Sequence, residues 1–128
     1  MKTMLIIWIA TLSFAVMAQS TAVIENAPQN YEKALKSANP GVVKSAIFYA
    51  VKLKLYYPEQ NTEKLNTLLE RLSQGSESTE IRYKAYLASQ FMSDGKLLEK
   101  IEKQDYKDGD QFFRLLADEL QNEILAER

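Results

Sequence analysis

Apolar residues recur at helical spacing along almost the whole of this chain, and no stretch sustains an alternation of apolar and polar residues in twos. A strand that buries one face needs a period of two, whereas a helix lays its buried stripe on a period of about 3.6 residues. The pattern therefore commits the chain to an all-α fold. The clearest stripe is Leu65, Leu68, Leu69 and Leu72, spaced i, i+3, i+4, i+7.

Turn residues divide the pattern into six helices. Pro28 can sit in the first turn of the first helix, where its missing N–H costs nothing; that helix runs to about Ala38 with Tyr31, Ala34 and Leu35 on one stripe. Asn39-Pro40 caps and opens the second, which runs to about Tyr57 before Pro58 ends it. Val43, Ala46, Ile47, Ala50 and Leu53 form one of its faces, and Phe48, Val51 and Leu55 a second, so it needs cover on two sides and is central. Asn61 or Thr62 caps the third helix, which stops at Gly75, and the serines of Ser76–Ser78 can cap the fourth, from Thr79 to Phe91 or Met92. A short fifth spans Lys96 to about Lys103. Asp108 and Gln111 make a capping pattern for the last, whose inward stripe is Phe112, Phe113, Leu116, Ala117, Leu120, Ile124 and Leu125.

Upstream of the helices, Met-Lys-Thr-Met leads into an apolar run from Leu5 to Ala18, broken only by Thr11 and Ser13 and ending abruptly at Gln19-Ser20-Thr21. A positive start, a short apolar centre and small residues before a polar switch make a secretory signal peptide. The run is shorter than the roughly 20 apolar residues of a membrane span. Residues 1–18 are expected to be removed, leaving residues 19–27 as a disordered leader and 28–128 as one helical domain, with no membrane attachment after cleavage. The destination is the periplasm or the extracellular medium. No cysteine is present to staple the domain, so helix packing must hold it.

An internal similarity adds to this reading. Superimposing Gly41–Lys54 on Thr79–Met92 places Val43 on Ile81, Lys44 on Arg82, Ala50 on Ala88 and Leu53 on Phe91. Each copy follows a leucine-bearing helix and a polar turn. An aliphatic-basic dipeptide followed by small residues after such a turn resembles a HEAT-type helical repeat over residues 30–93, best in the second copy, with Ile81-Arg82, Ala85 and Ala88. In the first copy Ile47 stands at the first small position and Lys44 replaces arginine. The resemblance implies a short solenoid of antiparallel helix pairs; an irregular helical bundle is the alternative. It further implies protein binding on the surface lined by the second helix of each pair, and directs attention to Glu63, Lys64, Asn66, Thr67, Glu70 and Arg71, the non-leucine positions of the third helix.

Composition removes many chemistries. Without histidine or cysteine the chain lacks imidazole general bases, thiol nucleophiles and the ligands of ordinary zinc sites. Four glycines, none in a phosphate-cradling array, leave no nucleotide loop. Sixteen basic residues against 17 acidic ones give no nucleic-acid footprint. The basic residues gather early, at Lys33, Lys36, Lys44, Lys52 and Lys54, and the acidic ones late, from Asp105 to Glu127. Ser93-Asp94-Gly95-Lys96 contains a Ser-x-x-Lys string but reads as a turn. Asp105–Asp110 fails as a calcium loop because Gln104, Tyr106 and Leu115 fall at ligand positions. Glu119 and Glu123 read as a solvated helix face. Among the aromatics, Tyr56 and Tyr57 at a helix end are the candidates for a sugar or peptide platform. The expected function is a non-enzymatic, cofactor-free protein-interaction module acting on a protein partner; the alternative is a carboxylate-based enzyme or inhibitor acting on envelope polymers.

Overall fold

A computed structural model describes residues 23–127. The segment expected to be a signal peptide, residues 1–18, lies outside the described residues. Six helices and no strand occupy the described part: α1 (23–35), α2 (Pro40–Tyr56), α3 (Glu63–Gly75), α4 (Thr79–Ser93), α5 (Gly95–Lys100) and α6 (Gly109–Ala126).

Most boundaries follow from side chains that satisfy orphan N–H groups at helix starts. Asn39 Oδ1 accepts from the N–H groups of Gly41 (2.9 Å) and Val42 (3.4 Å). Ser78 Oγ accepts from Ile81 N–H at 3.2 Å, Asp94 Oδ1 from Lys96 N–H at 2.9 Å, and Asp108 Oδ1 from Asp110 and Gln111 at 3.0 and 3.4 Å. At the start of α3 it is Asn61, not Thr62, whose side chain takes a backbone N–H, that of Glu63 at 3.1 Å.

Three expectations shift. Residues 23–27, expected in a disordered leader, are helical, and Pro28 lies inside α1 instead of in its first turn; Ala27 is buried against the core, an anchor that helix propensity alone does not reveal. α1 ends at residue 35 because Ser37 Oγ takes the N–H of Asn39 (3.1 Å), and Asn39 must be extended to cap α2. α5 ends at Lys100 because Ile101 turns to extended backbone and buries its side chain.

The helix directions follow from their contacts. Lys44, near the start of α2, pairs with Glu80, near the start of α4, at 2.8 Å, so these helices run in the same sense. α3 runs the other way: Asn66, near its start, donates to Ser93 Oγ at the end of α4 (3.1 Å). Leu35 and Leu72, at the ends of α1 and α3, share a depression with Val43 and Ile81, whereas Glu25 and Pro28 sit beside Gln60 and Asn61. α1 and α3 are thus parallel to each other and antiparallel to α2 and α4. α3 and α4 make an extensive contact, and α2 packs beside α4. This arrangement is common to a short solenoid and to an irregular bundle.

α6 completes the core by placing Phe112 against both α2 and α4. Its ring centroid lies 5.9 Å from Phe48 and 6.4 Å from Phe91, and Tyr106 meets it edge-on at 4.8 Å. Ile47, Val51, Leu55, Leu65, Leu69, Leu97 and Leu116 are fully enclosed in the same core, each stabilising the fold by about 1.5–3 kcal/mol relative to exposure. The two-faced burial of α2 matches its double stripe. The segment 101–108 is tied to the end of α2 by Lys52 to Asp105 (3.3 Å) and by the Tyr56 hydroxyl donating to the Gln104 carbonyl.

The inward stripe of α6 differs from expectation at its end. Ile124 and Leu125 point outward, 47% and 54% exposed, while Glu123 is buried. The helix phase that buries Phe112, Leu116 and Leu120 carries Glu123 inward.

Candidate functional site

The face singled out on α3 divides in two. Lys64, Thr67 and Arg71 join Leu68, Glu32 and Lys36 around an open depression of about 220 Å³ between α1 and α3. Lys64 and Glu32 also line an adjoining depression of about 240 Å³, with Glu25, Pro28, Gln29, Gln60 and Asn61. The two form one polar groove along α1 and α3, with Glu25 at one end and Lys36 and Arg71 at the other. Glu63 and Glu70 are exposed but line neither depression.

Asn66 does not belong to this face. Its Nδ2 donates to Ser93 Oγ, and its Oδ1 is buried without a hydrogen-bond partner, so it is a residue of the α3–α4 junction. The pairing of helices adds a second difference: in the α3–α4 hairpin α3 comes first, so the second helices are α2 and α4. Of the α3 positions, Lys64, Thr67 and Arg71 face α1 across the depression.

A charged cluster lies instead between α4 and α6. Glu80 binds Lys44 at 2.8 Å and Lys84 at 2.9 Å, and Lys84 also binds Asp110 at 2.8 Å. The hydrogen bonds from Lys44 and Lys84 pull the Glu80 carboxyl down to about 2. Burial opposes the charge of Lys84, but its hydrogen bonds to Asp110 and Glu80 outweigh this and raise its pKa. The Lys84 ammonium stands 5.8 Å from the centre of the Phe113 ring, and with Tyr83 and Arg114 these residues line an open depression of about 380 Å³. Every charge here except Arg114 is engaged by another side chain of the cluster, so the arrangement is a clamp between helices.

The remaining motifs resolve into local structure. Ser93 ends α4 and donates to the Ser89 carbonyl, and Asp94 caps α5, which starts at Gly95, so Ser93-Asp94-Gly95-Lys96 is a junction of two helices with one residue between them and not the turn expected from its residues. Asp105, Asp108 and Asp110 serve separately, as a partner of Lys52, a cap of α6 and a partner of Lys84. Tyr56 is half-buried and tied to Gln104, while Tyr57 is partly open; the most exposed rings, Tyr49, Tyr83 and Tyr86, lie within helices. Tyr49 stacks on Tyr31 with centroids 5.9 Å apart, and burial, then the neighbouring Tyr49, push the Tyr31 hydroxyl up.

The charge of Glu123, not its spacing from Leu116 and Leu120, is what sets it on a solvated face with Glu119 in the sequence reading. Glu123 turns inward, where a hydrogen bond with Asp94, then burial and the Asp94 charge, push its carboxyl above the usual range. Glycoside hydrolysis uses carboxyls about 5–10 Å apart with substrate or water between them; neither Glu123 nor Asp94 lines any of the depressions described above. Among the described residues no three potential acidic ligands gather to hold a metal ion, and no helix is long and apolar enough to cross a membrane. Compared with known proteins, the chain matches no family model, no curated protein and no solved structure.

Proposed function

We propose that this chain is an exported, non-enzymatic interaction module that holds a segment of a partner protein in the groove between α1 and α3. The observation that carries the reading is the groove itself, two adjoining depressions sharing Glu32 and Lys64 and polarised from Glu25 to Lys36 and Arg71. A groove acidic at one end and basic at the other favours a segment charged in the reverse order, and such charges fix register and partner choice more than affinity. Pro28 and Leu68 supply its apolar contact. A HEAT-like stacking of two helix pairs rests on the sequence resemblance, best in Ile81-Arg82, Ala85 and Ala88, with which the alternation of helix directions is compatible. The basic, apolar and small-residue order of residues 1–18 supports export, with Gln19 as the first residue of the mature protein.

The test is crosslinking capture from envelope extract of the native organism, comparing the unaltered protein with two charge reversals. Lys36→Glu with Arg71→Glu inverts the basic end of the groove; Glu63→Lys with Glu70→Lys changes exposed charges of α3 outside it. A partner lost only with the first variant supports the groove. A partner that tolerates the first variant, or is lost equally with both, removes it.

A further inference from the structure

Residues 23–127 contain no cysteine, histidine or tryptophan and a single methionine, Met92, which is buried. The side chains that ordinarily absorb oxidising equivalents first, thiols and exposed thioethers, are therefore missing from this part of the chain. What is left for a one-electron oxidant is tyrosine, and all seven tyrosines of the protein lie here. Their surroundings differ. Tyr106 is buried edge-on to Phe112 and donates its hydroxyl to the Glu102 carbonyl, and Tyr56 is tied to Gln104. Tyr57, Tyr83 and Tyr86 are exposed, and among the described residues no other ring stands against them.

Tyr31 and Tyr49 make the one tyrosine–tyrosine ring pair among the described residues. Their centroids are 5.9 Å apart and their planes 17° from parallel, the geometry of an offset stack, in which rings overlap at their edges. The edge matters because it holds the ring carbons next to the phenol oxygen, and these share the unpaired electron of a phenoxyl radical with that oxygen. The rings come from different helices: Tyr31 from α1, partly buried against the core, and Tyr49 from α2, 50% exposed. One ring is thus held, and the other is open to solvent and to rotation about its broad χ2 torsion. Phe48, 6.2 Å from Tyr49, has no hydroxyl and takes no part.

We propose that Tyr31 and Tyr49 are a site of oxidative cross-linking, at which hydrogen peroxide, acting through a peroxidase, joins α1 to α2 by a dityrosine bond. Each phenol gives up one electron and its hydroxyl proton. The two phenoxyl radicals form a carbon–carbon bond between ring carbons ortho to the oxygens, and the hydrogen on each of those carbons moves to its oxygen and restores the phenol. The pair loses two hydrogen atoms in all, and the peroxide, taking up two electrons and two protons, becomes two molecules of water. The product is a staple in a chain that has no cysteine to make one, and it constrains the unfolded chain as a disulfide would. It also locks to α2 the helix that forms one wall of the groove between α1 and α3.

Treatment of the full chain in dilute solution with hydrogen peroxide and a haem peroxidase tests this, read by dityrosine fluorescence of the monomer and by mass spectrometry of its peptides. The expected product is a peptide pair joining residue 31 to residue 49, lighter by two hydrogens than the sum of its parts, and formed to the same extent per molecule on further dilution. Tyr31→Phe and Tyr49→Phe, which keep the ring and lose the hydroxyl, each abolish that product, while Tyr83→Phe leaves it unchanged. A monomer without dityrosine overturns the proposal. So does a monomer linked through Tyr57, Tyr83 or Tyr86 in place of the pair, a 31–49 link found only between two chains, or a monomer signal that survives Tyr49→Phe.

Discussion

Replacing Phe112 with alanine should remove a fully buried side chain that ties α6 to both α2 and α4. The ring is fully buried and meets Phe48, Phe91, Tyr106 and Phe113 at centroid distances of 5.9, 6.4, 4.8 and 5.7 Å. Truncating a buried phenylalanine costs about 3–5 kcal/mol through lost transfer energy and the cavity left behind. Its aromatic pairs, about 0.5–1.5 kcal/mol each in isolation, are already part of that figure and place the residue toward its upper end. A domain of this size is stable by roughly 5–15 kcal/mol, so the loss is a large share of the whole. Urea unfolding followed by circular dichroism measures it, with Tyr83→Ala, at a half-exposed ring, as the control expected within about 0.5 kcal/mol of the unaltered protein. A fall in the denaturant slope would mark α6 already detached in the native state of the variant. If Phe112→Ala costs less than about 1 kcal/mol, or no more than the control, α6 is not held where the aromatic contacts place it.

Two local predictions accompany it. Asn39→Ala removes the acceptor for Gly41 and Val42 and should cost about 1 kcal/mol of stability in the same unfolding assay; an unchanged midpoint would mean that α2 starts elsewhere. A carboxyl carbon NMR titration should find the Glu80 midpoint at about 2, so that its stabilising contribution, present above the ordinary 4.5, disappears as pH falls through that midpoint. The midpoint should move up in Lys84→Met and in about 1 M salt, and a midpoint at the ordinary value would dissolve the ion cluster.

Helix number and most helix starts are legible in the sequence because their causes are local. Asn39, Ser78, Asp94 and Asp108 each cap a helix within three residues of themselves, and Pro58 follows the end of α2 closely. The double face of α2 is legible for the same reason. What escapes reading depends on where other helices lie. Asn66 looks like any polar residue of α3 until α4 brings Ser93 to it. Tyr106 sits outside every stripe because it is buried from a connecting segment and not from a helix. Glu123 has the sequence spacing of an inward residue, but its chemistry argues for solvent and the apolar pair beside it for the core. Of the face sought on α3, the charged positions are legible, whereas the groove needs α1 laid alongside to exist.

The backbone of the described residues contains no cis peptide bond and no residue at positive φ, and an added Cβ at any of the four glycines would come no closer than 3.3 Å to its neighbours. Nothing in the path of the chain therefore demands a particular amino acid; the fold is specified by which positions are apolar, which are caps and how the core volumes sum. An architecture encoded in this way can be rewritten one compensated substitution at a time, so very different sequences could share this shape. For this chain the informative positions are the few where pattern and placement conflict, and Glu123 is foremost among them.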